Sequence, residues 1–347
     1  MRKSPLLKFI KTAKSRIRAP ILRRKRRQRL IDETYRQYAL AGVTPPPFAL
    51  YPSSEPSTPT DVVLVREKGK IVALVNEDWR WMYLHETINK IACYSYWFSQ
   101  TSPDVRQIVV DASDGNFPTM ADYKFVATSD RHTALPDSYF FRDHGYAATD
   151  QFAAENPVSW DDRTDDIIWR GQPNGLGVFS LEPDTADNPL VIQRLRMAMK
   201  CRDLAVDFRF TANPLKPYSR LLQQAQLIGP FVPTHDWGRM KYAIDIDGFT
   251  NAWNNYLQRL KLGCCVLKVD SPMGYYQWYY PKLRAWEHYV PIRADLSDLA
   301  IQIDWVKSNP DKAREIAANG QTVASSLRFE SETKVAARAI EAREASK

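Results

Sequence analysis

Two short apolar runs, Val62–Val65 and Ile71–Val75, flank the polar turn Glu67–Gly69 and predict two strands joined by a tight connection. From about Trp79 to Gln100 apolar residues recur at helical spacing. Ile108–Asp111 is a brief apolar run that breaks into the loop Asp111-Ala-Ser-Asp114-Gly115, and Phe125–Ala127 is expected to be the next strand. The polar stretch Asn156–Asp166 separates this half from a second one. There Ile167–Trp169 predicts a strand running into Arg170-Gly171 and a loop containing Asn and Gly. Strands are also expected at Ala205–Phe208 and Cys264–Val269, with a mixed run over Arg239–Ile246. Helical spacing covers about 190–200, 250–262, 295–307 and 309–327, and a charged helix closes the chain.

Strands and helices alternate in both halves, which predicts an α/β protein. Two Rossmann-type domains facing each other across a cleft are the simplest arrangement, with ligands at the carboxyl ends of the strands. The expected divisions are an arm over 1–43, a Pro/Ser-rich linker over 44–60, a first domain over 61–155, a second over 156–325, and a terminal helix over 326–347. At 347 residues and 44% hydrophobic, the chain can fill two such cores.

Charge changes the picture at one end. Residues 1–30 hold 13 Lys and Arg and no acid, so taking them from the net +8 leaves about −5 for the rest. That argues against a nucleic-acid enzyme, whose cations would line a folded groove. Leu6, Leu7, Ile10, Ala13 and Ile17 fall at helical spacing among Lys3, Lys8, Lys11, Lys14 and Arg18. Such a basic amphipathic helix can lie on an anionic membrane surface; a solvated tail is the bland alternative and a nucleic-acid-binding arm a third. No run of about 18 apolar residues is present, and no secretory signal, so a cytoplasmic protein at the inner face of a membrane is expected. Cys93, Cys201, Cys264 and Cys265 show no CxxC spacing, hence neither a structural zinc nor a disulfide framework.

The second half carries a run of ordered pieces: Ile168-Trp-Arg-Gly171, Lys241-Tyr242, Asp247-Gly248, Trp253, Leu-x-Leu-Gly-x-x-Val-Leu-Lys ending at Lys268, Trp278-Tyr-Tyr280, Trp286-x-His288-Tyr-x-Pro291 and Asp295-Leu-Ser-Asp298-Leu. Together they resemble glycosyltransferase family 90, strongly over about 155–325 and more weakly over 60–150. The resemblance implies a GT-B fold, two Rossmann-like domains with the nucleotide sugar held mainly by the C-terminal one. It also implies inverting transfer from a UDP-sugar to a saccharide or glycolipid hydroxyl in lipopolysaccharide or capsule biosynthesis, with no cofactor and no bound metal.

The chemistry agrees with that implication. Without a metal, the departing diphosphate needs guanidinium, ammonium or helix N-terminal amides. Arg170, at a strand end, is the first candidate because its fork matches phosphate; Gly171 would permit close approach, and Arg194 and Arg196 on the next helix are second candidates. Tyr242, Asp247, Gly248, Trp253 and Asn254 complete the expected donor site. Eukaryotic members carry an arginine near Asn255 or Tyr256 that this chain lacks, so Lys241 or Lys268 is expected to compensate. Inversion also needs a base for the acceptor hydroxyl. The family's aspartate in a strand-to-loop element aligns with Asp114, with Asp111 left open, since Ser113-Asp-Gly-Asn116 stands where Arg-Asp-Tyr-Pro is usual. His288 is expected to be a structural hydrogen-bonder. Two competitors remain: a metal-dependent GT-A enzyme using Asp245-Ile-Asp247, and a non-catalytic membrane scaffold with a degenerate transferase fold.

Overall fold

A computed structural model describes residues 25, 27–76 and 85–347. Residues 1–24 and 26 of the basic arm therefore lie outside the described residues, as does the start of the helix expected from Trp79. The chain forms two compact units, one of residues 1–113, 118–122 and 340–347, the other of 114–117 and 123–339. The division drawn at residue 156 thus falls inside the second unit. Packing explains the shift. The ideal Cβ position at Gly115 lies 3.0 Å from Val126 Cβ, and Ala127 pairs with Tyr276, so residues 114–117 and the chain from Tyr123 onward already belong to the second unit.

In the first unit, helix α1 (27–40) precedes strands β1 (Phe48–Ser53), β2 (Asp61–Glu67) and β3 (Lys70–Asn76), helix α2 (His85–Ser99) and strand β4 (Gln107–Asp111). The expected hairpin is present, with Val63 opposite Leu74. Its turn residues Lys68 and Gly69 both have positive φ, 49° and 78°, which matches the twist of a two-residue hairpin. That hairpin makes the sheet mixed: β2 is antiparallel to β3 and β4, and β1 is parallel to β3. A fully parallel Rossmann sheet is therefore not what the first unit contains. The stretch expected to be a linker, 44–60, includes β1. Pro52 is tolerated there because β1 has a strand on one side only, in the order β1-β3-β2-β4. Ile91, Tyr94, Trp97 and Phe98 supply the buried face of α2. Arg343 and Lys347 tie the chain end to Asp122 at 3.1 and 2.8 Å.

The second unit begins with two-residue strands β5 (Tyr123–Lys124) and β6 (Thr133–Ala134), then helices α3 (Ser138–Arg142) and α4 (Ala147–Glu155). Phe125–Ala127 is not the strand expected; only Ala127 makes a bridge. The sheet comprises β7 (Thr164–Gly171), β8 (Val206–Thr211), β9 (Ile228–Gly229), β10 (Met240–Asp245), β11 (Cys265–Val269) and β12 (Val290–Ile292). Helices α5 (Gln193–Lys200), α6 (Tyr218–Gln224) and α7 (Asn254–Lys261) connect them, and α8 (Leu299–Ser308), α9 (Pro310–Ser326) and α10 (Phe329–Ala345) follow. All neighbouring strands are parallel, in the order β12-β11-β10-β7-β8-β9. Counting strands within this sheet, the order is 3-2-1-4-5-6 read from β9, the dinucleotide-fold order. Every residue of β11 is buried, as expected for a parallel strand covered on both faces.

Among the described residues no helix is long and apolar enough to cross a membrane. All four cysteines are buried and unpaired with one another. Burial pushes the Cys201 and Cys264 thiols up to about 12 and about 11, and Cys265 higher still.

Asp137 caps α3, accepting from the Tyr139 and Phe140 amides at 2.8 and 3.0 Å and from Gln277 Nε2 at 2.8 Å. Full burial outweighs these three donors and pushes its carboxyl up to about 6, against 3.8 in an unfolded chain. The folded state then binds the extra proton between those values, so this group's contribution to stability falls as pH rises through that window. Asp137→Asn, which keeps an acceptor but has no proton to lose, should gain stability relative to the parent between about pH 4 and 6. Denaturant titrations across that range should diverge; parallel curves would contradict the assignment.

Candidate functional site

The strand order reverses between β7 and β10, and their carboxyl ends mark the switch point at which such sheets bind ligands. β7 ends in Arg170-Gly171, β10 in Asp245, and β11 beside it carries Lys268 one residue before its end. Three loops leave this edge: 172–192, 246–253 and 270–289.

A buried ion network holds two of these loops. Arg194, on α5, donates Nη1 to Gln172 O at 3.0 Å and to Asn174 Oδ1, and Nη2 to Ile246 O at 3.0 Å. It thereby ties the loop after β7 to the loop after β10, and its guanidinium lies 5.2 Å from the Trp169 ring. Burial lowers it to about 10, with Asp245 and Asp247 pulling the other way. Lys268 Nζ lies 2.9 Å from Asp245 Oδ2 and 3.7 Å from Asp247 Oδ1. Burial disfavours its charge, but Asp245 and then Asp247 outweigh this and hold the ammonium well above the usual lysine range. Burial raises Asp247, against the pull of Lys268 and a hydrogen bond from Ser271. A Cβ at Gly248 would stand 3.2 Å from Arg194 Nη2 and Asn174 Oδ1, so a larger residue would press on this network.

Not every polar atom in the network is satisfied. Arg194 Nε, Asp245 Oδ1, Thr250 Oγ1 and Asn251 Oδ1 have no hydrogen-bond partner among the described residues. Such atoms call for donors and acceptors beyond the protein, either ordered water or a bound polar molecule.

Asp114 lies on the loop after β4. Gly115 takes φ +97°, Lys124 Nζ donates to Gly115 O at 3.0 Å, and Ala127 exchanges two backbone hydrogen bonds with Tyr276. Phe125 sits 6.5 Å from the Trp253 ring, and Asn251 Nδ2 joins Tyr275 O at 3.1 Å. Trp253, which opens α7 ahead of Asn254, has φ 49° and ψ −114°, a backbone conformation rare for a bulky residue. These contacts bring Phe125–Ala127 to the loops after β10 and β11, and Asp114 itself is half-buried.

The structure corrects several sequence assignments. Arg170 is not free to meet phosphate. Its Nη2 pairs with Asp207 at 2.5 Å, Nη1 donates to Trp169 O and Asp207 O at 2.8 Å each, and Nε donates to Pro230 O at 3.1 Å. It clamps β7, β8 and the chain after β9. Arg170→Ala should therefore cost about 2–3 kcal/mol of stability while leaving nucleotide affinity within about threefold. The loss is mostly from three orphaned carbonyls, since Asp207 is more than a third exposed and keeps Arg209 at 3.0 Å. Paired melting and titration experiments check this; a large affinity loss would return Arg170 to the site.

Gly171 makes room for the Trp169 indole, 2.5 Å from where its Cβ would lie, rather than for a ligand. Arg196 donates to Ala186 O and Asp295 O. Lys241 is the second residue of β10 and pairs with exposed Asp165 at the opposite end of the sheet. Tyr242 is a core residue whose hydroxyl donates to Val306 O. Asp111 Oδ1 accepts its own loop's Ser113 amide at 2.8 Å, a turn-stabilising role. His288 Nδ1 accepts from the Arg284 amide at 2.8 Å. Asn174 and Ser271 were missed: nothing in a loop Asn or Ser announces a partner on a distant helix or loop, here Arg194 and Asp247.

Residues 199–332 match the model of glycosyl transferase family 90. Protein O-glucosyltransferase 3 of Homo sapiens is 32% identical over 170 residues, covering 49% of this chain and 29% of the relative. Protein O-glucosyltransferase 2 of Danio rerio is 40% identical over 102 residues, covering 28% and 20%. The chain thus spans less than a third of these relatives' length. The solved structure of Anabaena Alr3699/HepE in complex with UDP-glucose aligns with 56% of this chain and 53% of its own at 12% identity, with a TM-score of 0.35.

Proposed function

We propose that this chain, a member of glycosyltransferase family 90 through residues 199–332, transfers a sugar from a UDP-sugar donor to a hydroxyl of a saccharide acceptor. The observation that carries the proposal is the buried, incompletely satisfied ion network at the switch point of a 3-2-1-4-5-6 parallel sheet. In this reading Arg194, Asp245, Asp247 and Lys268 hold the two loops in place. Gly248, Asn254 and the backbone amides opening α7 face the donor diphosphate. Asp114 takes the acceptor proton as the hydroxyl attacks the anomeric carbon, and UDP leaves from the opposite face with inversion.

The reading includes no metal. Lys268 puts an ammonium between Asp245 and Asp247, where the Asp-x-Asp alternative would need a dication. Transfer should therefore survive EDTA. The acceptor side, a lipopolysaccharide or capsule saccharide at a cytoplasmic anionic membrane surface, rests on the basic composition of residues 1–30.

Thermal unfolding with a panel of nucleotides and nucleotide sugars tests the central claim. A uridine ligand at about 100 times its Kd should add about 2.7 kcal/mol, whereas adenosine and guanosine counterparts should not. Absence of stabilisation by any of them would favour the non-catalytic scaffold.

A further inference from the structure

At the β2–β3 turn of the first unit, a cleft of about 400 Å³ is lined by Arg66, Lys68, Lys70 and Arg106, with Pro47 and Ser99 among its other walls. Four cations line it and no carboxylate does. The nearest acids in sequence, Glu67 and Asp104, are not part of the wall, and Asp104 accepts from Ser102 Oγ at 3.1 Å.

The cations are not interchangeable. Arg66 forms a fixed part of the wall, donating to Phe98 O at 2.7 Å, Thr101 O at 2.9 Å and Val105 O at 3.1 Å, around the end of α2. Burial, and then the neighbouring Arg106, hold its guanidinium below the ordinary arginine range, so the two charges repel across the cleft. Nothing offsets that repulsion: among the described residues Lys68, Lys70 and Arg106 make no ion pair. Lys68 also occupies a left-handed turn position, φ 49°, that hairpins usually give to Asn, Asp or Gly. Like charges gathered around a concavity, one of them at a strained position, form an anion-binding arrangement awaiting its anion.

The same cleft adjoins the root of the basic arm. Ile71, on its wall, pairs with Phe48 of β1. Two residues further along β1, Leu50 O accepts Arg27 Nε at 2.6 Å, and the Arg27 guanidinium lies 4.3 Å from the Tyr51 ring.

We propose that this cleft binds a phosphate group, with Lys68, Lys70 and Arg106 as its contacts and Arg66 as its fixed support. The phosphate can come from an anionic lipid headgroup or from a soluble phosphate compound. The proposal does not depend on the transferase reading, since no residue of the switch-point site takes part.

The test uses the full chain and two triple variants with the same loss of charge. One is Lys68→Gln/Lys70→Gln/Arg106→Gln. The other, a control on exposed cations of the second unit, is Arg202→Gln/Arg314→Gln/Lys334→Gln. Each is titrated calorimetrically with pyrophosphate, and co-sedimented with vesicles of phosphatidylcholine alone or mixed with phosphatidylglycerol. If the source is a headgroup, partition onto phosphatidylglycerol vesicles falls on the order of 100-fold in the cleft variant, roughly fivefold per cation, and far less in the control. If the source is soluble, pyrophosphate binding disappears in the cleft variant alone while both variants partition alike. Identical behaviour of the two variants toward both probes overturns the proposal, and unchanged far-UV melting curves show that neither lost its fold.

Discussion

Replacing Lys268 with methionine is expected to cost about 3–5 kcal/mol of stability at neutral pH, the penalty for stranding a buried charge by removing its partner. Methionine matches the length of the lysine stem and can lie against the Tyr256 and Tyr280 rings, each 5.6 Å from Nζ. What it cannot do is neutralise Asp245, whose side chain is 1% exposed, or Asp247 at 5%. Two further results distinguish this cause from simple mispacking. The deficit should shrink on acidification, because an unpaired buried carboxylate takes up a proton in the folded state more readily than in the unfolded chain. Asp245→Asn should also restore part of the loss when combined with Lys268→Met, although it is destabilising alone. Guanidinium titrations of the two single variants and the double variant measure the coupling. Additive losses, or a Lys268→Met variant as stable as its parent, would mean that the network is not ionic.

Asp114→Asn should lower the rate of sugar transfer by about 10²–10⁴-fold, the usual contribution of a general base, with UDP affinity and melting temperature nearly unchanged. The asparagine keeps shape and hydrogen-bonding capacity but cannot accept the acceptor's proton. Asp111 gives the necessary contrast. Its carboxylate holds the Ser113 amide, and its carbonyl accepts the Tyr94 hydroxyl at 2.9 Å. Asp111→Ala should therefore reduce stability by about 1 kcal/mol and slow transfer only as far as it disturbs the following loop. Single-turnover kinetics with the donor pre-bound separate the two cases. Normal transfer by Asp114→Asn would remove it from the chemistry.

In the second unit β7 and β11 were readable because both of their faces are covered, whereas the short strands β5, β6, β9 and β12 offered no comparable apolar run. Residues 264–269 form an unbroken apolar run apart from Lys268, and 167–169 another. Arg239–Ile246 looked mixed because β10 starts at the sheet's exposed end, where Lys241 meets Asp165, and turns apolar only afterwards. The same detail could have removed Lys241 from the donor site, since it lies near the start of a strand rather than at its end. The first unit's hairpin was visible, but strand direction across the rest of its sheet depends on turn geometry that apolar spacing does not encode.

Arg170 shows the limit most clearly. An arginine before a glycine at a strand end looks the same whether it waits for phosphate or clamps carbonyls. The partner that decides, Asp207, is 37 positions away. Lys268 poses the converse case: it sits one residue before the end of an apolar strand, where a charge survives only with dedicated partners. Asp245 belonged beside it and was weighed only as half of a metal motif.

The sealed cysteines have a practical consequence. An alkylating reagent attacks thiolates, and in Cys201, Cys264 and Cys265 burial suppresses that form as well as access. The intact molecule should therefore ignore iodoacetamide, and labelling should proceed only as fast as each segment opens. Cys265 within β11 and Cys201 after α5 lie on different elements around the same network. Their separate modification rates, read peptide by peptide, would report how far a local breach there spreads before the sheet gives way.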